Sequence, residues 1–432
     1  MRCDILALEI YSSGRDIDIT EPILSYLEIK YNLKVIRDSI FNFEYKLIKY
    51  RPKLLIVSNS VGSDYKIKAI KLATFLGIKT VTLVSEGGIS FYYNELNDNS
   101  MENDFWGLNI EKFMYEDLCL QWNLNDYEIA RKYLPQNKIA ISGAVLFDKY
   151  QILSPMSAIQ LKKKYDKEKY DKTILIAGWG FSALSGKYWE KNKDVLIKRL
   201  GGLEYINMHR NSAKLLHQIY EQIIQENTDI LFIIKEHPSE KDYDNYLNTE
   251  YHGLEEYENV IFIKAYQENM MDLLSAADLL LAYDSTSELE SWLMKKISIV
   301  VNPITENFSR LPFYNGSLIA KNSRSLNQYI YEYYKKNTID DFTKKEEYRQ
   351  ALIKKFIFSG DGKNFLRASK CIIDLFYSTS NNKKVNYWAI KMIARGIIKN
   401  FINYKSPMDI FDYQEREKIR KKYYRGLKKF LK

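Results

Sequence analysis

The stretch DLLLAYDSTSELESWLMKKISIVVNP, Asp278–Pro303, sets two short apolar runs on either side of an amphipathic segment. DLLLA and ISIVV have the length and composition of strands, and SELESWLMKK that of a helix. Strand, helix and strand in such close succession make one βαβ unit. Unbroken apolar runs suit parallel strands buried on both faces. The polar run Asp284-Ser285-Thr286-Ser287-Glu288 falls where the first strand ends and the helix begins. Ser285 with Glu288 three residues later has the pattern of a capping box, and Ser287 with Glu290 repeats it in another register. The same place suits a phosphate, because a helix start offers free N–H groups and partial positive charge beside three hydroxyls. Residue pattern alone does not separate the two readings.

The alternation extends in both directions. CDILALEI, LKVIR, KLLIVS, KTVTLVS, DLCLQW and KIAISG read as strands in the first half, with EPILSYLEIKY, NFEYKLIKY, YKIKAIKLATFLG and NDYEIARKYL as helices between them. TILIAGWG, DILFIIKEHP and NVIFIK read as strands in the second, with helices in NSAKLLHQIYEQIIQ and ENMMDLLSAA. The charged stretch Ser154–Lys172 marks a boundary. The expected fold is therefore α/β, with two Rossmann-like parallel-sheet domains facing across a cleft and a basic helical tail. The expected domains are 1–165, 166–380 and the tail 381–432.

The 432 residues include 46% hydrophobic ones, enough for real cores. Cys3, Cys119 and Cys371 lie too far apart to build a disulfide framework, which suits a reducing cytosol. No apolar run approaches the roughly 18–20 residues that span a bilayer, and MRCDILALEI reads as a first strand rather than a signal peptide. The net charge of +9 is uneven: Asn381–Lys432 holds 15 basic and 4 acidic residues, which leaves −2 for everything before it. The body thus has no general nucleic-acid signature. No Cys/His group has zinc spacing, and the D-x-D triplets Asp16–Asp18 and Asp242–Asp244 are common by chance, so no metal and no cofactor is expected.

In open parallel sheets ligands bind beyond the carboxyl ends of strands. Four strand ends carry polar chemistry. In VSEGG, Glu86 precedes Gly87 and Gly88, whose freedom lets the backbone turn sharply; the carboxylate is either a solvated turn residue or a general base. In IAGWG, Gly178 and Gly180 form either a plain loop or one presenting N–H groups to a phosphate. In KEHP, Pro238 biases His237 toward extended backbone; the histidine is either structural or a donor to a phosphate or leaving group. The run Ser285, Thr286, Ser287 and Glu288 is the fourth.

Taken in order, VSEGG, ISGAVLFD (Ile141–Asp148), KEHP, DSTSELE and SGDGKNFLRAS (Ser359–Ser369) resemble the motifs of GT-B glycosyltransferases of bacterial surface and capsular polysaccharide synthesis. The nearest groups are Kdo transferases, sialyl- and polysialyltransferases, and teichoic-acid glycerophosphotransferases. The resemblance implies that His237 and Pro238 contact the donor nucleotide, and that Ser285, Thr286 and Ser287 grip its phosphate. It places Glu288 near the ribose or as a cap, and makes Glu86 the catalytic base. It further implies a metal-independent transfer from a nucleotide sugar, a CMP-sugar slightly favoured, to a polysaccharide or glycolipid acceptor. Two departures stand out: Ala144–Leu146 replaces a proline-arginine pair, and KEHP replaces Arg-x-His-Pro. Alternatives are a CDP-glycerol-type phosphotransferase, against which stands the absence of any histidine before His209, a nucleotide-sugar epimerase, and a non-catalytic membrane-peripheral scaffold of glycan assembly.

The tail segment YWAIKMIARGIIKNFINY, Tyr387–Tyr404, sets apolar residues at helical spacing among basic ones. It suits a helix lying on an anionic membrane surface equally with one packed back on the body. The expected location is cytoplasmic, with peripheral attachment to the inner face of the plasma membrane.

Overall fold

The structure, a computed structural model, describes residues 2–58, 63–85, 115–132, 134–200, 202–238, 240, 249–304, 310–379 and 386–432. Two compact units divide the chain: Met1–Ser154 with Ile353–Lys432, and Pro155–Leu352.

The first unit is built on six parallel strands: β1 (Ile5–Glu9), β2 (Val35–Ser39), β3 (Leu54–Ser58), β4 (Lys79–Leu83), β5 (Leu118–Gln121) and β6 (Ile139–Ile141). Their order is β2-β1-β3-β4-β5-β6. The second unit holds β7 (Lys172–Ala177), β8 (Ile230–Lys235), β9 (Val260–Ile263), β10 (Leu279–Ala282), β11 (Ile297–Val301) and β12 (Leu318–Ala320), ordered β12-β11-β10-β7-β8-β9 and again parallel. β10 and β8 are buried along their whole length, as unbroken apolar runs require. Each sheet reverses its strand order once, between β1 and β3 in the first unit and between β7 and β10 in the second. Helices diverge to opposite faces at such a reversal and leave a crevice.

The first division, between Ser154 and Pro155, falls at the start of the charged stretch Ser154–Lys172, as the sequence reading expects of a boundary. The rest of that stretch belongs to the second unit, because Ser157 closes a full capping box on the helix Ala158–Lys164, whose Leu161 is completely buried in that unit's core. The other division differs from the expected one. The chain re-enters the first unit within the helix Glu346–Ile357, so Ser359–Ser369 belongs there rather than to a donor domain. Two of the motifs meet inside it. Asp148 of ISGAVLFD accepts hydrogen bonds from the Phe365 N–H at 2.6 Å and from Asn364 Nδ2 at 2.9 Å. Gly143 sits at φ +82°, where an added Cβ would fall 2.0 Å from Asn364 Oδ1. This pair of motifs joins the two chain segments of the unit.

The tail packs on the same unit. The helix Tyr387–Phe401 sends Ala389 and Met392 into the core beside Phe43, Leu47 and Ile70. Gly396 permits the close approach, because a Cβ there would stand 2.5 Å from that of Glu44. The final helix, Tyr413–Phe430, buries Arg416, Tyr423 and Leu427. Arg416 reaches Glu9 at the end of β1 through Nε and Nη2, at 2.6 and 2.8 Å, and Glu21 at 2.6 Å. Arg37 pairs with Glu21 from the other side at 2.7 Å. Burial alone would raise the Glu21 carboxyl, but the two guanidiniums hold it below its ordinary value. Among the described residues no helix is long and apolar enough to cross a membrane.

Replacing one partner of a buried ion pair leaves the other charge uncompensated. Arg416→Ala would leave the Glu9 carboxylate only the Thr20 hydroxyl, 3.0 Å away. The free energy of unfolding in urea should fall by about 3–5 kcal/mol. A loss below about 1 kcal/mol would reduce the cluster to the standing of a surface bridge.

Candidate functional site

The crevice at the β7–β10 reversal collects three of the four polar strand ends. Ala177 at the end of β7 is in register with Lys235 at the end of β8, and β10 flanks β7 on its other edge. The loops carrying Gly178 and Gly180, His237 and Pro238, and Ser285–Glu288 therefore leave neighbouring strands. Glu86, Gly87 and Gly88 lie outside the described residues, as do Asp242 and Asp244.

After β7, glycine is required at 178 by packing. An added Cβ would stand 2.7 Å from Tyr251 Cε1 and 2.9 Å from the Lys235 carbonyl oxygen. The Gly178 N–H donates to that carbonyl at 2.9 Å and the Trp179 N–H to Glu250 Oε1 at 2.7 Å. These two backbone donors, which the sequence reading offers to a phosphate, are thus taken by protein acceptors.

After β8, the residues around His237 fix the loop. Lys235 Nζ donates to the carbonyls of Lys264, at 2.7 Å, and Ala265, while Glu236 Oε2 accepts the Ala265 N–H at 2.8 Å. Lys235 is therefore committed to backbone acceptors. Burial lowers the Lys235 ammonium to about 8. Burial, with the Lys235 charge adding to it, lowers the half-buried His237 imidazole to about 4. His237 is neutral at pH 7, so it can donate one hydrogen bond to an anion without carrying charge.

After β10, the capping box is shifted. The helix is Ser287–Leu293, with Thr286 at its N-cap in αR conformation and no side-chain cap hydrogen bond. Glu288 Oε1 accepts the Ser285 N–H at 3.3 Å, half of the expected box. The Ser285 hydroxyl accepts the Ser287 N–H at 3.2 Å and the Ser287 hydroxyl at 2.9 Å, instead of closing on residue 288. Ser287 is buried, and Glu288 is wholly so: its other oxygen accepts the Ser317 hydroxyl at 2.8 Å. Its carboxyl is turned into the protein, as a cap rather than a ribose contact. Burial raises it to about 8, against which the Ser317 hydrogen bond works.

Two residues that the sequence reading does not assign to the site lie at it. Arg310 donates through Nη1 to the Tyr283 carbonyl at 2.7 Å and through Nη2 to Asn302 Oδ1 at 2.5 Å, which bridges the ends of β10 and β11. Its guanidinium lies 4.7 Å from the Tyr283 ring centroid and 4.9 Å from that of Tyr314. Beneath the loops, His209 stacks on Trp179 at 4.9 Å and sets Nδ1 3.1 Å from the Tyr283 hydroxyl. Burial and Arg310 push His209 down to about 4. Arg310 follows a segment without periodicity, and His209 lies mid-helix, so neither gives a sequence signal.

Among the described residues no cluster of three or more His, Cys, Asp or Glu side chains is placed to hold a metal ion. Asp16 and Asp18, in the first unit, accept Lys66 Nζ at 2.9 Å and Lys149 Nζ at 3.0 Å.

No family model matches the chain, and no curated protein matches its sequence. Solved structures do match its fold. One is a Listeria monocytogenes protein assigned as a UDP-N-acetylglucosamine 2-epimerase, at TM-score 0.54 and 12% identity, over 89% of this chain and 99% of that one. Another is the UDP-GlcNAc 2-epimerase of Neisseria meningitidis bound to UDP-GlcNAc, at 0.51 and 12%, over 86% and 100%. A third is the wall teichoic acid polymerase TagF, at 0.51 and 11%, over 86% and 89%. The fold is that of the GT-B enzymes.

The raised Glu288 pKa has a consequence for stability. Between the unfolded value near 4.5 and the folded value of about 8 the native state holds a proton that the unfolded chain has released. Its contribution is therefore full below the unfolded pKa and is lost as pH rises through the folded one. Glu288→Gln should gain stability relative to the parent as pH goes from 5 to 8, read by urea denaturation at each pH. A difference that is flat with pH would mean that Glu288 is ionised in the folded protein.

Proposed function

We propose that the protein is a glycosyltransferase that moves a sugar from a nucleotide-activated donor to a surface-polysaccharide or glycolipid acceptor. The observation that carries this reading is the hydroxyl group at the β7–β10 reversal. Ser285 and Ser287 hold each other, which leaves Thr286 as the hydroxyl uncommitted to the cap, with Arg310 fastened to the Tyr283 carbonyl three residues before it. A hydroxyl and a fixed cation at a strand-order reversal suit the phosphates of a nucleotide. The GT-B fold, shared with enzymes that act on nucleotide sugars, adds support.

In the proposed reaction Glu86 takes the proton of the acceptor hydroxyl as its oxygen bonds the anomeric carbon. The bond from that carbon to the donor phosphate breaks, and the nucleotide departs with the electron pair. Neutral His237 donates a hydrogen bond to the leaving phosphate, and Arg310 and Thr286 take up its charge. No step requires a metal. A second reading, epimerisation of a UDP-sugar, draws on the fold shared with the two epimerases. Incubation with UDP-GlcNAc and no acceptor separates the two, since an epimerase would produce a second UDP-sugar and a transferase would not.

One of CMP, CDP, UDP and GDP should raise the melting temperature, with about 2.7 kcal/mol of stabilisation at a hundredfold excess over Kd. Stabilisation by CMP alone would favour Kdo- or sialic-acid-type donors, and by UDP or GDP hexose donors. A flat response to all four would overturn nucleotide use. Thr286→Val should weaken the bound nucleotide about tenfold, the worth of one hydrogen bond to a charged group, and leave the melting temperature of the free protein alone. Glu86→Gln should abolish turnover while nucleotide binding persists; undiminished activity would remove Glu86 as the base.

A further inference from the structure

We propose that the helix Tyr387–Phe401 and the turn after it dock the protein on an anionic lipid bilayer. This goes beyond the transferase reading and stands independently of it. The helix is apolar on two opposite sides. At 100° per residue, Ala389, Met392, Ile393 and Gly396 share the side packed on the first unit. Tyr387, Ile390, Ile397, Ile398 and Phe401 share the opposite side, with Ala394 at its centre. These five are all more than half exposed, Phe401 at 86% and Tyr387 at 82%. Ile402, Met408 and Ile410 continue the patch past the helix end. Among the described residues, ten of the 22 exposed large hydrophobic side chains lie between Tyr387 and Tyr413, so the patch is a concentration and not the scatter of an ordinary surface.

A surface helix of a water-soluble unit turns its polar side outward. Here the inner side is already satisfied by the core, so the outward apolar side serves some other neighbour. Its charge names that neighbour. From Asn386 to Tyr413 the chain carries Lys391, Arg395, Lys399 and Lys405 against two acidic residues, Asp409, which accepts the Ser39 hydroxyl, and Asp412, which caps the final helix. Lys399 is held by Glu44, whereas Lys391 and Arg395 are exposed along one edge of the apolar side. A rigid helix with a greasy outward face and a basic edge fits the boundary between anionic headgroups and acyl chains. A second copy of the same helix face would supply no opposite charge to that edge. Gly396, with its close fit on Glu44, keeps the helix flat against the protein, so the whole unit would be held at the lipid surface.

Deleting residues 381–432 would remove Met392, Arg416, Tyr423 and Leu427 from the core, so substitutions on the exposed side make the test. The full chain should sediment with vesicles of mixed phosphatidylglycerol and phosphatidylcholine, and less with phosphatidylcholine alone. Ile397→Ser with Phe401→Ser should weaken that binding by about tenfold or more at an unchanged melting temperature. Lys391→Glu with Arg395→Glu should weaken it on the mixed vesicles, while Tyr331→Ser, at an exposed site of the other unit, should not. Absence of sedimentation with the mixed vesicles, or wild-type binding by both double variants, would overturn the proposal. So would a concentration-dependent dimer that Ile397→Ser with Phe401→Ser abolishes while vesicles go unbound.

Discussion

Two-sided burial of short parallel strands is the constraint on which the rest depends. A strand such as Leu279–Ala282 has neither face available for polar chemistry, and its backbone groups are consumed by its neighbours β7 and β11. Polar function is driven to the residues just beyond each carboxyl end. Where strand order reverses, the helices part and those ends become accessible. The second unit places three chemically rich loops at one such point. The first places Glu9 at the other, already occupied by Arg416 from the last helix.

Buried carboxyl groups are held in two ways, and the first unit shows both, since burial raises its Asp148 to about 7. In the first, Glu21 keeps its charge because Arg37 and Arg416 offset the burial. In the second, burial raises Glu288 to about 8, because the Ser317 hydroxyl, the Ser285 N–H and the Arg310 charge together do not offset it. Glu250, which fixes the Trp179 N–H, is raised to about 8 by burial as well, and Glu240 beside Ser182 to about 7. A protonated carboxyl braces a loop without adding negative charge. The loops at this reversal are thus braced by groups that burial drives toward the neutral form, while Arg310 supplies the one fixed positive charge described at the ends of β10 and β11.

Much of the architecture was legible because period and length are local properties: every strand named in the sequence reading is present, and the strand-end rule leads directly to His237 and Ser285–Glu288. Short or irregular pieces were not legible. β12 has three residues, too few to show alternation. Arg310 gains its meaning from two carbonyl acceptors brought by separate strands, which no spacing encodes. Glycine at 178 was readable as a special position, but the reason was not: Tyr251 and the Lys235 carbonyl occupy the space of its Cβ. The capping box was half right because S-x-x-E fixes the glutamate's reach back to Ser285, whereas the serine's own partner depends on where the helix begins.

The tail shows most sharply what periodicity leaves undetermined. An apolar stripe at helical spacing states that one side of a helix avoids water but not what it meets. In Tyr387–Phe401 two stripes coexist. The one bearing Gly396 packs closely on Glu44 and Tyr45, where a Cβ would not fit, and the larger side chains are left facing out. The two readings of the tail, packed helix and lipid-facing helix, are therefore not rivals. Packing of the inner side is what gives the outer side a fixed orientation, and a fixed orientation lets a few isoleucines and a phenylalanine act together on one surface.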